Sequence, residues 1–426
     1  MNSSLLIDIS QLRVGMYVQL DLGWMRHPFP VSSFRIASAD QIATLRELGI
    51  VEVRYFPSKS DPEVHALDRN SGNARDTLAA ESIEDAVAQV SADADSVAAR
   101  NCSHLELQSR VLAACNQRFG DATRQYQALE RTVVVQPDLA RTQCEVVVSD
   151  CLRELLENGD SVIRLLSEGV GESSAQHPVN VMVISLLLGK ALGMKSPELH
   201  ELGIAALLHD LGKLNVPTAG FTPVERQRYE SHVGQSVAFA QLMGLSDSVL
   251  TAIAQHHEMA DGSGFPLHLV GEDMQRSGQI LALVNHYDRM CNPAAGVDAL
   301  TPHEALSVIF AQIKSRFDPV VLGAFIRMMG VYPPGSVVQL VNDRYAIVVS
   351  VNSSRPLRPK VIVHDPRVPK DEAQVLDLEA MPELGIRRSL KPAQLPRDAL
   401  DYLSPRKRIC YFFERAVDPG PDEAQA

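Results

Sequence analysis

Ala205-Ala-Leu-Leu-His-Asp-Leu-Gly-Lys213 is the stretch on which the reading of this chain turns. A run of small and aliphatic residues leads into an adjacent His209-Asp210 pair, and Gly212 allows the chain to turn before Lys213. An imidazole beside a carboxylate at the end of an apolar helix suits a pair of divalent cations. The carboxylate can bridge both ions while the imidazole holds one. Taken alone, the dipeptide has a blander reading as a hydrogen-bonded helix end. Its neighbours in the sequence tip the balance.

Downstream stands His256-His-Glu-Met-Ala-Asp-Gly-Ser-Gly-Phe-Pro266. Two adjacent histidines at a helix end, followed by a Gly-rich loop, are hard to explain as packing, and imidazole is the commonest metal-ligating side chain. His177 precedes Pro178, a favoured first helical residue, and His232 closes Tyr229-Glu-Ser-His232. Each of these two alone reads as a surface or capping residue. With the others they give His177, His209, Asp210, His232, His256 and His257, a set of candidate ligands on several helices. A helical bundle builds a dimetal site in its core in this way.

The surroundings are helical. Between residues 175 and 330, apolar residues recur at helical spacing over Val179–Leu192, Glu198–Leu208, Thr222–Met243, Ser248–His257, Ser277–Met290, Pro302–Ser315 and Pro319–Met329. Most of the 13 histidines fall in this region. Residues 1–57 read as a small α/β module. It has strand signals at Val14–Leu20 and Val51–Phe56 and a short helix over Ala39–Leu48, with Ser38 before it and Gly49 after. Residues 58–165 read as a linker followed by long helices, either a solvated spacer or a signal-passing element. Val337–Val341 and Tyr345–Val349 flank Asn342-Asp343 as a hairpin, and Val361–His364 offers a third strand. These lie in a β-containing extension over 331–415, followed by a polar tail over 416–426. The expected class is mainly α, a helical bundle with a small N-terminal module and a short C-terminal β hairpin extension.

The 426 residues carry 40 basic and 52 acidic side chains, a net charge of -12. That argues against a nucleic-acid polymer as partner, because backbone binding needs clustered Lys and Arg. The six scattered cysteines lack a CxxC pair and read as reduced thiols of a cytoplasmic protein. The start, MNSSLLIDIS, has no signal-peptide pattern, and Val181–Leu188 is too short to span a bilayer, so no membrane association is expected.

The series His177, His209-Asp210, Lys213, His232, His256-His257-Glu258 and Asp261-Gly-Ser-Gly-Phe-Pro266 resembles the HD-GYP branch of the HD phosphohydrolases, over roughly residues 165–330. Leu12-Arg-Val-Gly-Met-Tyr-Val18 is similar to the N-terminal domain that often precedes HD-GYP domains in proteobacteria, and the hairpin after Pro333-Pro-Gly335 to the family's C-terminal extension. The resemblance implies an HD-type bundle that binds two divalent ions, iron or manganese, and hydrolyses cyclic di-GMP. Carried over by position, His177, His209 and Asp210 hold one ion. Asp210 as bridge, His232, His256 and His257 hold the other. Lys213 would take a phosphate oxygen, making Asp210 and Lys213 the catalytic pair. The loop Asp261, Gly262, Gly264, Phe265 and Pro266 would border the nucleotide and meet partners such as diguanylate cyclase proteins. The long helices are suited to a homodimer.

The chain departs from the family in four places. Asn285, in Ile280-Leu-Ala-Leu-Val-Asn285, stands where the family has its last metal-ligating Asp, so it is expected as a neutral ligand; Asp288 and His286 could compensate but read better as residues behind the ligands or at the surface. Phe265 replaces the Tyr of the signature. Cys291–Gly296 replaces the family's basic residues, and Ser173 stands where trimetal members have Glu, with Glu172 one residue off. Ser173 and the lost basic residues lead to pGpG as the expected main product. Asn285, Phe265 and the missing basic residues also motivate an alternative, a catalytically weak receptor for cyclic di-GMP or a diguanylate cyclase partner.

Overall fold

The computed structural model describes residues 5–19, 33–36, 42, 45–46, 52–56, 60, 83–157, 161–215, 222–294, 296–352, 358–381 and 383–415. The chain forms two units, Met1–Ser109 and Arg110–Ala426.

The first unit contains an antiparallel sheet of β1 (Leu5–Asp8), β2 (Tyr17–Gln19), β3 (Ser33–Arg35) and β4 (Glu52–Tyr55), in the order β1-β4-β2-β3. Alternation places Val53 and Tyr55 on one face, where they pack with Leu12, Met16, Val18, Ile36, Ile42 and Leu45. Of the helix expected over 39–48, Ile42, Leu45 and Arg46 are helical and the other residues lie outside the described set. So does nearly all of the expected linker.

A long helix, α1 (Ile83–Thr132), leads into the second unit, followed by α2 (Pro137–Glu157) and strand β5 (Ser161–Leu165). The bundle proper comprises α3 (Gln176–Ala191), α4 (Ser196–Leu208), α5 (Pro223–Glu230), α6 (His232–Leu242), α7 (Asp247–Ala254), α8 (Arg276–Cys291), α9 (Pro302–Gln312) and α10 (Pro319–Met329). Several starts follow one chemical rule. Thr222-Pro223 and Thr301-Pro302 each close a capping box with the Glu three residues after the Thr, and the Asp318 carboxylate accepts from the Val320 and Val321 N–H groups ahead of α10. Gly330, at φ 72°, ends α10. The helix expected over Thr222–Met243 is two helices. It breaks at Ser231, whose hydroxyl donates to Arg228 O and competes with the helical ladder. The break turns His232 toward the bundle interior, where it is fully buried.

Two expectations need correction. The stretch 58–165, read as linker and helices, ends in strand β5. The C-terminal part is more than a hairpin: β6 (Val337–Leu340), β7 (Tyr345–Asn352), β8 (Lys360–Val363), β9 (Val375–Asp377), β10 (Ile386–Leu390) and β11 (Tyr411–Arg415) join β5 in one sheet of seven described strands. β5 pairs with both β7 and β11, so the boundary expected at residue 165 runs through this sheet. The reason is local ambiguity. Ser161-Val-Ile-Arg-Leu165 is a short apolar run that periodicity does not assign, and its partner lies about 250 residues away.

The sheet braces the bundle. Asn180 on α3 accepts from Tyr411 N at 2.7 Å and donates to Ile409 O at 3.2 Å, so the last strand is hydrogen-bonded to the helix that begins beside His177. The five cysteines whose side chains are described are buried thiols.

Candidate metal centre

Helix ends deliver the donors. His177 is the second residue of α3, His209 caps α4 with Asp210 just beyond it, His232 opens α6, and His256 and His257 follow α7. Gly212 makes this convergence feasible. A Cβ there would lie 2.1 Å from His232 O, so only glycine allows the turn after Asp210 to pack against the start of α6, where its N–H donates to Ser236 Oγ.

Hydrogen bonds set the tautomers. The Nδ1–H groups of His209 and His256 donate to Ala206 O and Ile253 O at 2.7 and 2.6 Å, and His232 Nδ1 donates to Tyr229 O. Each bond runs to a carbonyl three residues back and leaves Nε2 with a free lone pair. His209 Nε2 lies 3.2 Å from His177 Nε2, and His232 Nε2 lies 3.3 Å from His256 Nε2. Lone pairs that close repel unless a proton or cation sits between them. Asp210 Oδ1 and His257 Nε2 are buried without a hydrogen-bond partner. Burial of such groups costs free energy unless a ligand satisfies them. Two donor groups result, Asp210–His232–His256–His257 and His177–His209–Asp210, each with ligand atoms within 4.8 Å of one another. These residues fit a divalent metal by donor chemistry and by their unsatisfied atoms.

Protonation favours the same conclusion. Burial lowers the pKa of His256 and His257 and brings His209 to about 4, keeping all three neutral, the ligating form. His177 differs. Burial would lower its pKa too, but hydrogen bonds to Asp210 and Asp288 raise it to about 9. Burial would raise the Asp210 pKa, yet His209, Arg289 and His177 hold it well below the usual carboxylate range.

Asn285 and Asp288 are both buried on α8. The Asn285 amide donates weakly to His256 O at 3.4 Å, while its Oδ1 accepts from Arg289 Nε at 3.0 Å. Asp288 accepts from His177 Nδ1 at 2.5 Å, from Asn180 Nδ2 and from Asn292 Nδ2, so it orients His177 from behind. His286 packs against Phe317. Ser173 and Glu172 are exposed ahead of α3 and belong to neither donor group.

Lys213 Nζ donates to Asp210 Oδ2, and Arg289 Nη2 donates to the same oxygen at 2.9 Å. Both cations face the ring of Tyr229, at 5.4 and 5.9 Å. Arg289 is the residue sequence reasoning missed. It lies one turn beyond Asn285, on the same inward face of α8. His177, Asp210, Lys213 and Arg289 open onto a cleft of about 480 Å³ whose walls include Tyr126 and Glu130 of α1, Ser174 and Asn292. The Asp261–Pro266 loop lines none of this cleft. Its Phe265 stacks on His257, centroids 4.4 Å apart, and the Glu258 carboxylate accepts from Leu267 and Leu269 N–H to hold the loop down. A Cβ at Gly264 would lie 2.4 Å from Glu258 Cα, so this loop also needs its glycine.

A family profile described as an HD domain matches residues 160–321, the segment that carries every one of these donors. Residues 160–321 are thus an HD domain. Residues 4–144 match a domain of unknown function, DUF3391. A Pseudomonas aeruginosa protein named cyclic di-GMP phosphodiesterase PA4108 is 27% identical over 375 residues, 84% of either chain. The cyclic di-GMP phosphodiesterase response regulator RpfG of Xanthomonas campestris pv. campestris is 30% identical over 149 residues, 33% of this chain and 39% of that one. Among solved structures, Bd1817, a HDG"Y"P protein from Bdellovibrio bacteriovorus, aligns with a TM-score of 0.40 and 14% identity, over 76% of this chain and 98% of that one. Among the described residues, no helix is long and apolar enough to cross a membrane.

Proposed function

We propose that the protein is a metal-dependent phosphodiesterase that hydrolyses cyclic di-GMP, chiefly to pGpG. The observation that carries this reading is the convergence of five imidazoles on the two oxygens of one buried carboxylate, with Lys213 and Arg289 at the open side. A relative aligned over 84% of its own length bears the name of that activity.

The donors suit borderline divalent ions such as iron or manganese, in two subsites that share Asp210. A metal held there would activate water toward phosphorus and draw charge from the phosphoryl oxygens. The chain's own residues do the rest. His209, His232 and His256 are locked by their carbonyl bonds and need no reorganisation. Asp288 fixes the His177 ring. Lys213 and Arg289 face the cleft and would meet the phosphodiester, where charge grows in the transition state. The side chains of Tyr126 and Ser174 border the space left for the nucleoside. Slow onward cleavage follows from Ser173, whose exposed hydroxyl offers no third ion the carboxylate that a freed terminal phosphate needs.

The test is a chromatographic time course on cyclic di-GMP with protein of measured iron and manganese content, and a mixed cyclic dinucleotide as comparator. pGpG should accumulate first. Metal-loaded, folded protein that leaves cyclic di-GMP intact would refute the activity, and early GMP without pGpG would refute the product.

A further inference from the structure

The two sides of Asp210 are built differently. Around Oδ1 stand His232, His256 and His257, and the oxygen accepts no hydrogen bond, although His232 Nε2 and His256 Nε2 lie 3.3 and 3.6 Å away. Among the described residues, no Lys or Arg pairs with that oxygen. Around Oδ2 stand His177 and His209, at 3.3 and 3.5 Å, together with two full cations, Lys213 and Arg289. The guanidinium is placed there by design of the helix: its Nε is bonded to Asn285 Oδ1, and Asn285 is 1% exposed and has no alternative orientation that would keep both of its bonds.

We propose that Arg289, held by Asn285, is a resident competitor for the cation on the Oδ2 side. The chain then holds one divalent ion tightly at Asp210–His232–His256–His257 and a second only weakly at His177–His209–Asp210. The inference rests on the metal-centre reading above and deepens it.

Electrostatics supports it from three directions. Asp210 is the only carboxylate in either donor group, so two dications would share a single negative charge. Arg289 already neutralises that charge on the Oδ2 side. A cation bonded to Oδ2 would lie within roughly 5 Å of the guanidinium, since metal–oxygen bonds are about 2 Å and the Arg–Asp contact adds the remainder. Asn285 does not relieve the conflict, because it is neutral and its oxygen faces Arg289. The Oδ1 side bears none of these penalties, being shielded from both cations by the carboxylate itself.

Manganese binding tests this without reference to turnover, so failure of the inference and failure of the proposed activity are separable. The full-length protein is stripped, titrated with Mn²⁺ by calorimetry, and examined by electron paramagnetic resonance. Wild type should retain about one ion per chain, with the spectrum of an isolated ion and a second affinity weaker by about tenfold or more. Arg289→Gln removes the charge and keeps a hydrogen-bonding group for Asn285. It should tighten the second site by at least about fivefold and yield the broadened spectrum of a spin-coupled pair at stoichiometric Mn²⁺. Adding Asn285→Asp to Arg289→Gln should tighten it further. His232→Ala should lose the retained ion, and His177→Ala should keep it. Two equally tight ions in wild type would overturn the proposal. So would an Arg289→Gln protein, folded by circular dichroism, whose second affinity equals that of wild type. If Arg289→Gln does not fold, the contrast between His177→Ala and His232→Ala decides: retention lost equally in both overturns it.

Discussion

His256 and His303 begin from the same chemistry and end in different roles. Each Nδ1–H donates to a backbone carbonyl, Ile253 O at 2.6 Å and Val331 O at 2.8 Å, and burial lowers both pKa values. At one end of the bundle, His256 is one of five helix-end histidines around Asp210. At the start of α9, His303 stacks on Tyr332, centroids 5.0 Å apart, and joins neither donor group. A buried, hydrogen-bonded imidazole is therefore ordinary core material. What distinguishes the metal centre is that several Nε2 lone pairs point at one carboxylate.

The largest effect should come from that carboxylate. Asp210→Asn keeps the size and removes the charge both subsites share. It should strip the retained metal and reduce turnover of cyclic di-GMP by at least roughly 10³-fold. Elemental analysis together with steady-state rates would check it, and a variant that keeps its metal would erase the distinction drawn between the two histidine regions. Lys213→Met comes next. Lys213 touches Asp210 Oδ2 and faces the cleft, so its loss should cost roughly 10²-fold in kcat while metal content at the Oδ1 side stays unchanged. Loss of that metal as well would mean that Lys213 supports the donors rather than the substrate.

Much of this was readable in the sequence, for reasons that particular residues show. The donors were legible because the fold presents them at helix ends, next to Gly212, Pro178 or a partner histidine, where local signals are strongest. α10 occupies Pro319–Met329 as expected, because Asp318 starts it and Gly330 stops it. Strand β5 was not legible, since its identity depends on pairing with Tyr411–Arg415 rather than on its own composition. Arg289 was not legible as a site residue, because a single Arg within a helix carries no local signal of its own. The i+4 spacing from Asn285 carried the information, and only the helix's inward face reveals its use. Asp288 was expected mainly as a residue beside the ligands, and it stands behind His177. The Asp261–Pro266 loop, expected to border the nucleotide, meets His257 through Phe265.

Asp288→Asn should have a smaller, one-sided effect. Its carboxylate accepts from His177 Nδ1 and sustains the raised His177 pKa. The amide is a weaker acceptor and also offers a donor, so the ring loses its fixed orientation. Affinity for the ion on the Oδ2 side should fall by roughly 10- to 100-fold, with the Oδ1 side unaffected. Calorimetric Mn²⁺ titration reads both. Equal weakening on both sides would show that the two subsites are not independent, and would blunt the contrast within the centre itself.

The smallest effect belongs to His303, and it tests whether a histidine outside the convergence is structural only. Burial lowers its pKa from the ordinary 6.5, outweighing the opposing effects of the Val331 hydrogen bond and Glu304. The folded state therefore takes up this proton less readily than the unfolded one. The stabilising contribution is complete above pH 6.5 and is lost as pH falls below it, toward the depressed folded value. His303→Phe keeps a ring for the Tyr332 stack but removes the bond to Val331 O, a loss of about 1 kcal/mol at neutral pH. It also removes the titration, so the gap between variant and wild type should narrow steadily on acidification below pH 6.5. Thermal denaturation across that range reads the gap, and manganese binding in the same variant should match wild type. A gap that stays constant with pH would show that His303 is not held neutral by its surroundings. Altered manganese affinity would show that the two histidine regions are coupled.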